Sequence, residues 1–301
     1  MKIEPSIRAI IVSAVSLSLL VVGLSGCFAA PTSTPPPTPR PDPTPIPLQT
    51  IPADCAQGIA DMDLTIVFNN VEYGAGLGSS WGFGCFIEYG GRGILFDTGG
   101  DGPMLVANMD KLGVDPGAID VVVLSHFHGD HTDGLRSVLA AADGPVVYML
   151  RSFSEALKAQ AREGGELREV SGGGEICKGV YTTGGVPGNP REQALAIETS
   201  KGLVVITGCA HPGVNTLVRR AIEVTGGDVY LVLGGFHLGS AGEAKVSTIL
   251  DDLQAMGVQK VAPSHCTGER ATRMFAERYG DDFIASGVGF RMSIEGSSGT
   301  D

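Results

Sequence analysis

Four potential metal-binding side chains follow one apolar run, and they constrain the chain more than any other feature. Residues 119–125 (IDVVVLS) have the length and composition of a fully buried strand. The next residues, HFHGDH, place His126, His128, Asp130 and His131 together. A turn that leaves a strand end can direct the first two side chains to one point and the last two to a neighbouring point. The spacing therefore favours two adjacent metal sites over the alternative, a solvated polar loop.

Three further histidines each follow a different apolar strand of the predicted fold. His211 lies in LVVITGCAHPG, His237 in LVLGGFHL and His265 in KVAPSHCTG. Each of them alone could be a structural histidine. In layered α/β folds, however, residues at the strand ends along one edge form the site, so we expect these histidines to converge on the first cluster. Cys209 and Cys266 each lie within two residues of one of them.

The remaining pattern predicts an α/β domain over residues 53–301. Besides 119–125, the predicted strands are 64–69, 83–89, 93–96, 146–150, 194–198, 203–207, 228–235 and 260–263, with two closing strands near Phe283 and Phe290. The predicted helices are 103–112, 134–142, 152–163, one from Val214, 241–256 and 271–279. The natural architecture for these elements is two sheets packed face to face between helices.

Residues 1–27 have the layout of a secretory signal. Lys2 and Arg8 precede an apolar stretch over residues 9–24, which is short for a helix that spans a membrane. The stretch ends in LSGC, which resembles the bacterial lipobox and implies that Cys27 is lipidated. The alternative is an uncleaved N-terminal anchor. Either way, we expect a domain outside the cytoplasm that is attached to a bacterial membrane.

Residues 28–52 are rich in Pro and Thr and cannot bury apolar area. We expect an extended linker of about 3.1 Å per residue. The formal net charge of the chain is −12, which argues against nucleic acid as a general partner. A small anionic substrate remains compatible with it, because bound cations would reverse the local field. The sequence leaves the oligomeric state open.

The motifs ILFDTGG (94–100) and LSHFHGDHTDGL (124–135), with the later histidines, resemble the metallo-β-lactamase superfamily. Within it, ITGCAHPGVN, LGGFHL and SHCTG resemble the branch named for dihydropterin-methyl-ribofuranosylaminobenzene phosphate synthase. The resemblance implies an αββα four-layer sandwich with a metal centre at one edge.

The resemblance also implies roles for individual residues. The ligands that it implies for two metal ions are His126, His128 and His211 for one and Asp130, His131 and His265 for the other. Asp97 would support the metal loop from behind, and Asp130 would also orient the attacking nucleophile. His237 matches no usual ligand, so we expect it to bind substrate or to donate a proton. One or two divalent ions are expected, zinc first, with manganese or iron as alternatives.

The sequence departs from the family pattern at the acidic residue that bridges the two metals in most members. Asp228 begins its predicted strand, at the wrong end, and Asp251 and Asp252 lie in a predicted helix. Cys209 stands where a Gly-Asp pair is expected. We therefore expect a second metal site that is weaker than usual.

The function that these observations favour is a membrane-anchored hydrolase that uses a metal-bound water on an ester or phosphoester. One alternative is a transferase like the synthase of the resembled branch, whose substrates are cytosolic. Another is a metal-binding lipoprotein without turnover. The Gly-rich segment 71–81 is either a lid over the site or an ordinary connection.

Overall fold

The computed structural model describes residues 58–298. The signal peptide predicted over residues 1–27, its Cys27 and the linker predicted over 28–52 lie outside the described residues, so they stay predictions. Within residues 58–298, no helix has both the length and the apolar character needed to cross a membrane.

The strands and helices of the described residues follow the predicted order closely. The strands are β1 (Gly58–Ile59), β2 (Met62–Asn69), β3 (Phe83–Tyr89), β4 (Arg92–Phe96), β5 (Ile119–Val123), β6 (Val146–Leu150), β7 (Glu166–Val170), β8 (Gly174–Cys177), β9 (Val180–Thr182), β10 (Leu195–Thr199), β11 (Gly202–Thr207), β12 (Val229–Gly235), β13 (Lys260–Ser264), β14 (Arg291–Ile294) and β15 (Ser297–Ser298). The helices are α1 (Gly102–Lys111), α2 (Gly129–Thr132), α3 (Leu135–Ala141), α4 (Glu155–Gly164), α5 (Val214–Thr225), α6 (Glu243–Ala255) and α7 (Glu269–Tyr279).

Two large sheets form the centre of the domain. The first has the strand order β14-β2-β3-β4-β5-β6-β7 and the second β13-β12-β11-β10-β9-β8, while β1 and β15 form a small pair. Strands β4 to β7 run parallel to one another, and so do β11 to β13. Helices α1, α3 and α4 pack with the first sheet, and α5, α6 and α7 with the second.

The side-chain alternation of β11 shows how the layers are held together. Val204 and Ile206 join the apolar core that the two sheets share, whereas Leu203 and Val205 join the core under α5, α6 and α7. Because side chains alternate along a strand with a period of two, successive residues face opposite sides of the sheet. Burying each such side chain stabilises the folded state by roughly 1.5–3 kcal/mol. The αββα four-layer sandwich predicted from the resemblance is confirmed.

Two details of the prediction differ from the structure. Phe283 forms only an isolated bridge with Val261, so the strand predicted there is wrong, while the strand predicted near Phe290 begins one residue later as β14. The prediction also missed the short helix α2, the small pair β1 and β15, and the strands β7, β8 and β9, which form edges of the two large sheets or lie next to them. Strand β7 reads ELREV, and its five residues include two exposed and two half-buried ones, so this edge strand has no apolar period.

Candidate metal centre

The candidate site residues follow the carboxyl ends of five strands. Asp97 follows β4, the HFHGDH segment follows β5, and the segment 209–211 follows β11. His237 and His265 follow β12 and β13. Strands β4 and β5 are parallel, as are β11, β12 and β13, so their carboxyl ends lie at one edge of each sheet.

The backbone is strained at this edge. Among residues 58–298, four residues other than glycine have a positive φ: Asp97 (59°), Ala210 (59°), His237 (52°) and His265 (51°). All four lie just after a strand that leads to the site. Such conformations cost on the order of 1–3 kcal/mol each and are typical of functional sites.

Three of the predicted ligands form a first donor set. His126, His128 and His211 each offer a ring nitrogen, and these three atoms lie within 4.8 Å of one another. Nε2 of His126 is 3.1 Å from Nδ1 of His128, and Nε2 of His211 is buried without a hydrogen-bond partner. Burial lowers the pKa of His126, and burial with the nearby His237 lowers the pKa of His211 to about 4. These rings are neutral near pH 7, as metal ligands must be.

A second donor set combines Asp130, His131, Cys209 and His265. Oδ2 of Asp130 lies 3.4 Å from Nε2 of His131 and 3.3 Å from Nε2 of His265. Sγ of Cys209 lies 3.2 Å and 3.3 Å from the same two nitrogens. Burial opposes ionisation of Asp130, but hydrogen bonds to His131 and His265 hold its pKa well below the usual range. The set therefore presents an ionised carboxylate to a cation.

The two sets fit divalent metal ions. Imidazole, carboxylate and thiol are the ligands that bind zinc in proteins, and the first set offers a buried nitrogen that has no other partner. The structure thus brings together all six predicted ligands and adds Cys209. His237 lies beside the first set, exposed, with its ring centroid 4.2 Å from that of His211.

Asp97 lies behind both donor sets and belongs to neither. Its Oδ1 accepts the backbone N–H of Ser125 at 2.7 Å, and its Oδ2 accepts the Ser125 hydroxyl at 2.7 Å. The same Oδ2 is 2.7 Å from Nδ1 of His131, while Oγ of Ser125 is 2.9 Å from Nδ1 of His126. Burial would lower the pKa of His131, but Asp97 and Asp130 outweigh it and raise the pKa to about 10.

Two supporting residues were missed by the sequence prediction. Glu192 is fully buried; its Oε1 accepts the N–H groups of Cys209 (2.9 Å) and Ala210 (2.8 Å), and its Oε2 accepts that of His211 (2.8 Å). Asn70 places its Oδ1 2.7 Å from Nδ1 of His265. Neither residue has a local sequence signal, because each lies among other polar residues outside the helices and strands.

Two cavities flank the donor sets. One of about 360 Å³ is lined by residues that include His211, His237, Asn215 and Lys245. The other, of about 650 Å³, is more apolar and lies beside His265 and residues of the predicted lid. In that segment Trp81 is 57% exposed, and its ring centroid is 4.8 Å from that of His265.

The chain is similar to two curated proteins over most of its length. The 7,8-dihydropterin-6-methyl-4-(β-D-ribofuranosyl)-aminobenzene-5′-phosphate synthase of Methanocaldococcus jannaschii is 28% identical over 269 residues, which are 73% of this chain and 92% of that protein. An uncharacterised protein of the same organism is 27% identical over 239 residues, 69% of this chain and 91% of its own length.

Solved structures agree with this similarity. The metal-dependent hydrolase Tm1679 of the β-lactamase superfamily has a TM-score of 0.67 and 26% identity, over 78% of this chain and 99% of its own. The short form of human tRNase Z, at a TM-score of 0.52 and 13% identity over 77% and 99% of the two chains, shares the fold. Residues 85–265 match the family model of the metallo-β-lactamase superfamily, whose members typically bind divalent metal ions, and this chain belongs to that superfamily.

Proposed function

We propose that the domain is a metal-dependent hydrolase that acts on an ester or phosphoester. The observation that carries this proposal is the pair of adjacent donor sets, whose ligand atoms lie within 4.8 Å of one another in each set. The donor sets have a cavity on either side, which favours an enzyme over a protein that only binds metal. The similarity to a solved metal-dependent hydrolase supports the same reaction class.

Different side chains would take part in different steps of the hydrolysis. Divalent cations held by the two sets would supply Lewis acidity and lower the pKa of a water molecule. Asp130 is ionised and half-buried in the second set, so its second oxygen would orient the water that attacks. His237 is exposed at the cavity beside His211, so it would donate a proton to the leaving group.

A small anionic substrate fits the smaller cavity best. Lys245 lines this cavity, and none of the ion pairs among residues 58–298 uses its ammonium group. In a chain with a net charge of −12, an unpaired cation at the site would attract an anionic group. Lys245→Met should raise KM for phosphoesters more than for neutral esters. Lys201→Met removes a lysine at the turn before β11 and should change neither value.

The direct test of the proposal combines metal content and turnover. The soluble fragment from Ala53, purified without chelator and equilibrated with Zn²⁺ or Mn²⁺, should bind one or two ions per chain and hydrolyse phosphodiesters or lactones. His128→Ala should lower turnover by orders of magnitude while the fold, followed by circular dichroism, persists. Metal binding without any turnover would instead support the metal-binding lipoprotein.

A transferase reaction is the second candidate. The observation that favours it is the 28% identity to the Methanocaldococcus jannaschii synthase over 92% of that protein. Incubation with a pterin diphosphate and a ribofuranosyl-aminobenzene phosphate distinguishes the two functions. A coupled product would support the transferase, and hydrolysis of the diphosphate alone would support the hydrolase.

We also propose that the domain is exported and anchored through Cys27. The sequence features that support this are the apolar stretch over residues 9–24 and the LSGC motif that ends it. The full-length chain should incorporate labelled palmitate in a bacterial host, and Cys27→Ala should abolish the incorporation. Labelling that persists in this variant would contradict the lipobox.

A further inference from the structure

Cys209 is not among the metal ligands that were predicted from the sequence. We propose that Cys209 binds the second cation as a thiolate and replaces the carboxylate that bridges the metals in most members of the superfamily. This inference depends on the metal centre of the proposed function, and it adds a sulfur ligand to that centre.

The position of the sulfur is the first argument. Sγ of Cys209 lies 3.2 Å from Nε2 of His131 and 3.3 Å from Nε2 of His265, as close as Oδ2 of Asp130 lies to the same nitrogens. It also lies within 4.8 Å of ring nitrogens of His211 and His237. The sulfur thus belongs to the second set and faces a ligand of the first, which is the place of a bridging group.

The second argument is that no carboxylate competes for this place. Among residues 58–298, Asp130 is the one carboxylate in the donor sets. Asp251 pairs with Arg278 on the surface, and Asp252 accepts a hydrogen bond from Asn215. Glu192 is close to the site, but three backbone N–H groups occupy its oxygens.

The backbone around Cys209 is built to hold it. The side chain is 3% exposed, and Glu192 accepts the N–H groups of Cys209 and Ala210. Ala210 takes a left-handed conformation, which lets Cys209 and His211 face the same edge from two neighbouring positions. When a cation binds, the thiol releases its proton to solvent, and the negative sulfur then compensates the positive charge of the ion.

A sulfur ligand also narrows the choice of metal. Thiolate is a soft ligand that favours zinc over manganese, which prefers oxygen. Cys266 is the other thiol nearby, but it is not part of either donor set, and its Sγ donates to the backbone oxygen of Cys209 at 3.5 Å. It therefore provides a matched control.

Titration of the metal-free protein with Co²⁺ tests the ligand directly. A coordinated thiolate gives a strong charge-transfer absorption in the near ultraviolet, whereas nitrogen and oxygen ligands give only weak visible bands. We expect the strong band in the wild-type protein and in Cys266→Ser, and its loss in Cys209→Ser and Cys209→Asp. The wild-type protein should also release one more proton per chain on Zn²⁺ binding than Cys209→Asp does.

The outcomes separate this inference from the proposed function. Weak visible bands without the charge-transfer band would overturn the thiolate ligand and leave the metal centre intact. A band that persists in Cys209→Asp and disappears in Cys266→Ser would assign the ligand to Cys266 and overturn the inference. Failure of the wild-type protein to bind any cobalt or zinc would overturn the metal centre itself. Because the wild-type spectrum alone decides the first and third outcomes, a variant that fails to fold does not weaken the test.

Discussion

Oδ2 of Asp97 lies 2.7 Å from Nδ1 of His131, and both side chains are completely buried. The same oxygen accepts the hydroxyl of Ser125, which in turn contacts His126. One carboxylate therefore fixes a ring of each donor set, and it leaves the outer nitrogens of both rings facing the edge of the sandwich. In metal sites, such partners set the orientation and basicity of the ligands.

Asp97→Asn should weaken metal binding at both sets. The amide has a single accepting oxygen, so it can replace either Oδ1 or Oδ2 as an acceptor but not both, and it cannot provide a negative charge beside His131. Loss of a partner of this kind typically lowers metal affinity about 10–100-fold. Calorimetric titration with Zn²⁺ measures the effect. Asp110→Asn, on the exposed face of α1, is the control, and equal affinities in the two variants would contradict the role of Asp97.

Glu192→Gln should destabilise the domain and disturb the loop 209–211. The amide group of Gln would place a donor against a backbone N–H that now donates to Glu192. A buried donor without an acceptor costs about 1–3 kcal/mol. Urea denaturation of the metal-free protein checks the free energy of unfolding, with the exposed Glu163→Gln as control. A stability equal to that of the control would show that the loop does not need this carboxylate.

Gly208→Ala should disturb the hydrogen bonds between Asp97 and Ser125 without replacing any of the metal ligands. A Cβ at residue 208 would overlap Oγ of Ser125 and lie 2.8 Å from Oδ2 of Asp97. Overpacking of this kind costs about 1–3 kcal/mol. We expect a lower melting temperature together with weaker zinc binding. In Gly172→Ala the added Cβ meets no atom within 4 Å, so both quantities should stay at their wild-type values.

Metal removal should lower the melting temperature reversibly. A ligand present at 100 times its Kd stabilises the folded state by about 2.7 kcal/mol, which for a domain of this size shifts Tm by roughly 5–10 °C. Calorimetry in chelator, and again after addition of Zn²⁺, measures the shift. An unchanged Tm would mean that the donor sets do not bind the added ion in the folded state.

Much of the fold and of the candidate site could be predicted from the sequence, because local sequence patterns indicate both the strands and the ligands that follow them. The apolar run before His126 marks β5, and similar runs before His211, His237 and His265 mark β11, β12 and β13. Parallel strands bring their carboxyl ends to one edge, so the convergence of these histidines follows from topology alone.

What the sequence could not predict depends on contacts between distant residues. Asn70 and His265 are 195 residues apart, and Glu192 reaches Cys209 from a loop that has no regular pattern. The edge strand β7 is polar because four of its five residues are exposed or only half-buried. Cys209 was noticed only as a substitute for an expected acid, because its distance from His131 and His265 is set by the packing of the two sheets.

Each donor set draws its ligands from both sheets. His126 and His128 follow β5 of the first sheet and His211 follows β11 of the second; Asp130 and His131 likewise oppose Cys209 and His265. A bound cation is therefore a non-covalent cross-link between the two halves of the sandwich. When it leaves, the cores that hold the sheets together remain, but this edge loses the cross-link, so local opening should begin here rather than at the opposite edge. The proposed metal centre would then couple the availability of metal to local stability, so that loss of the metal would loosen the domain first at the candidate site.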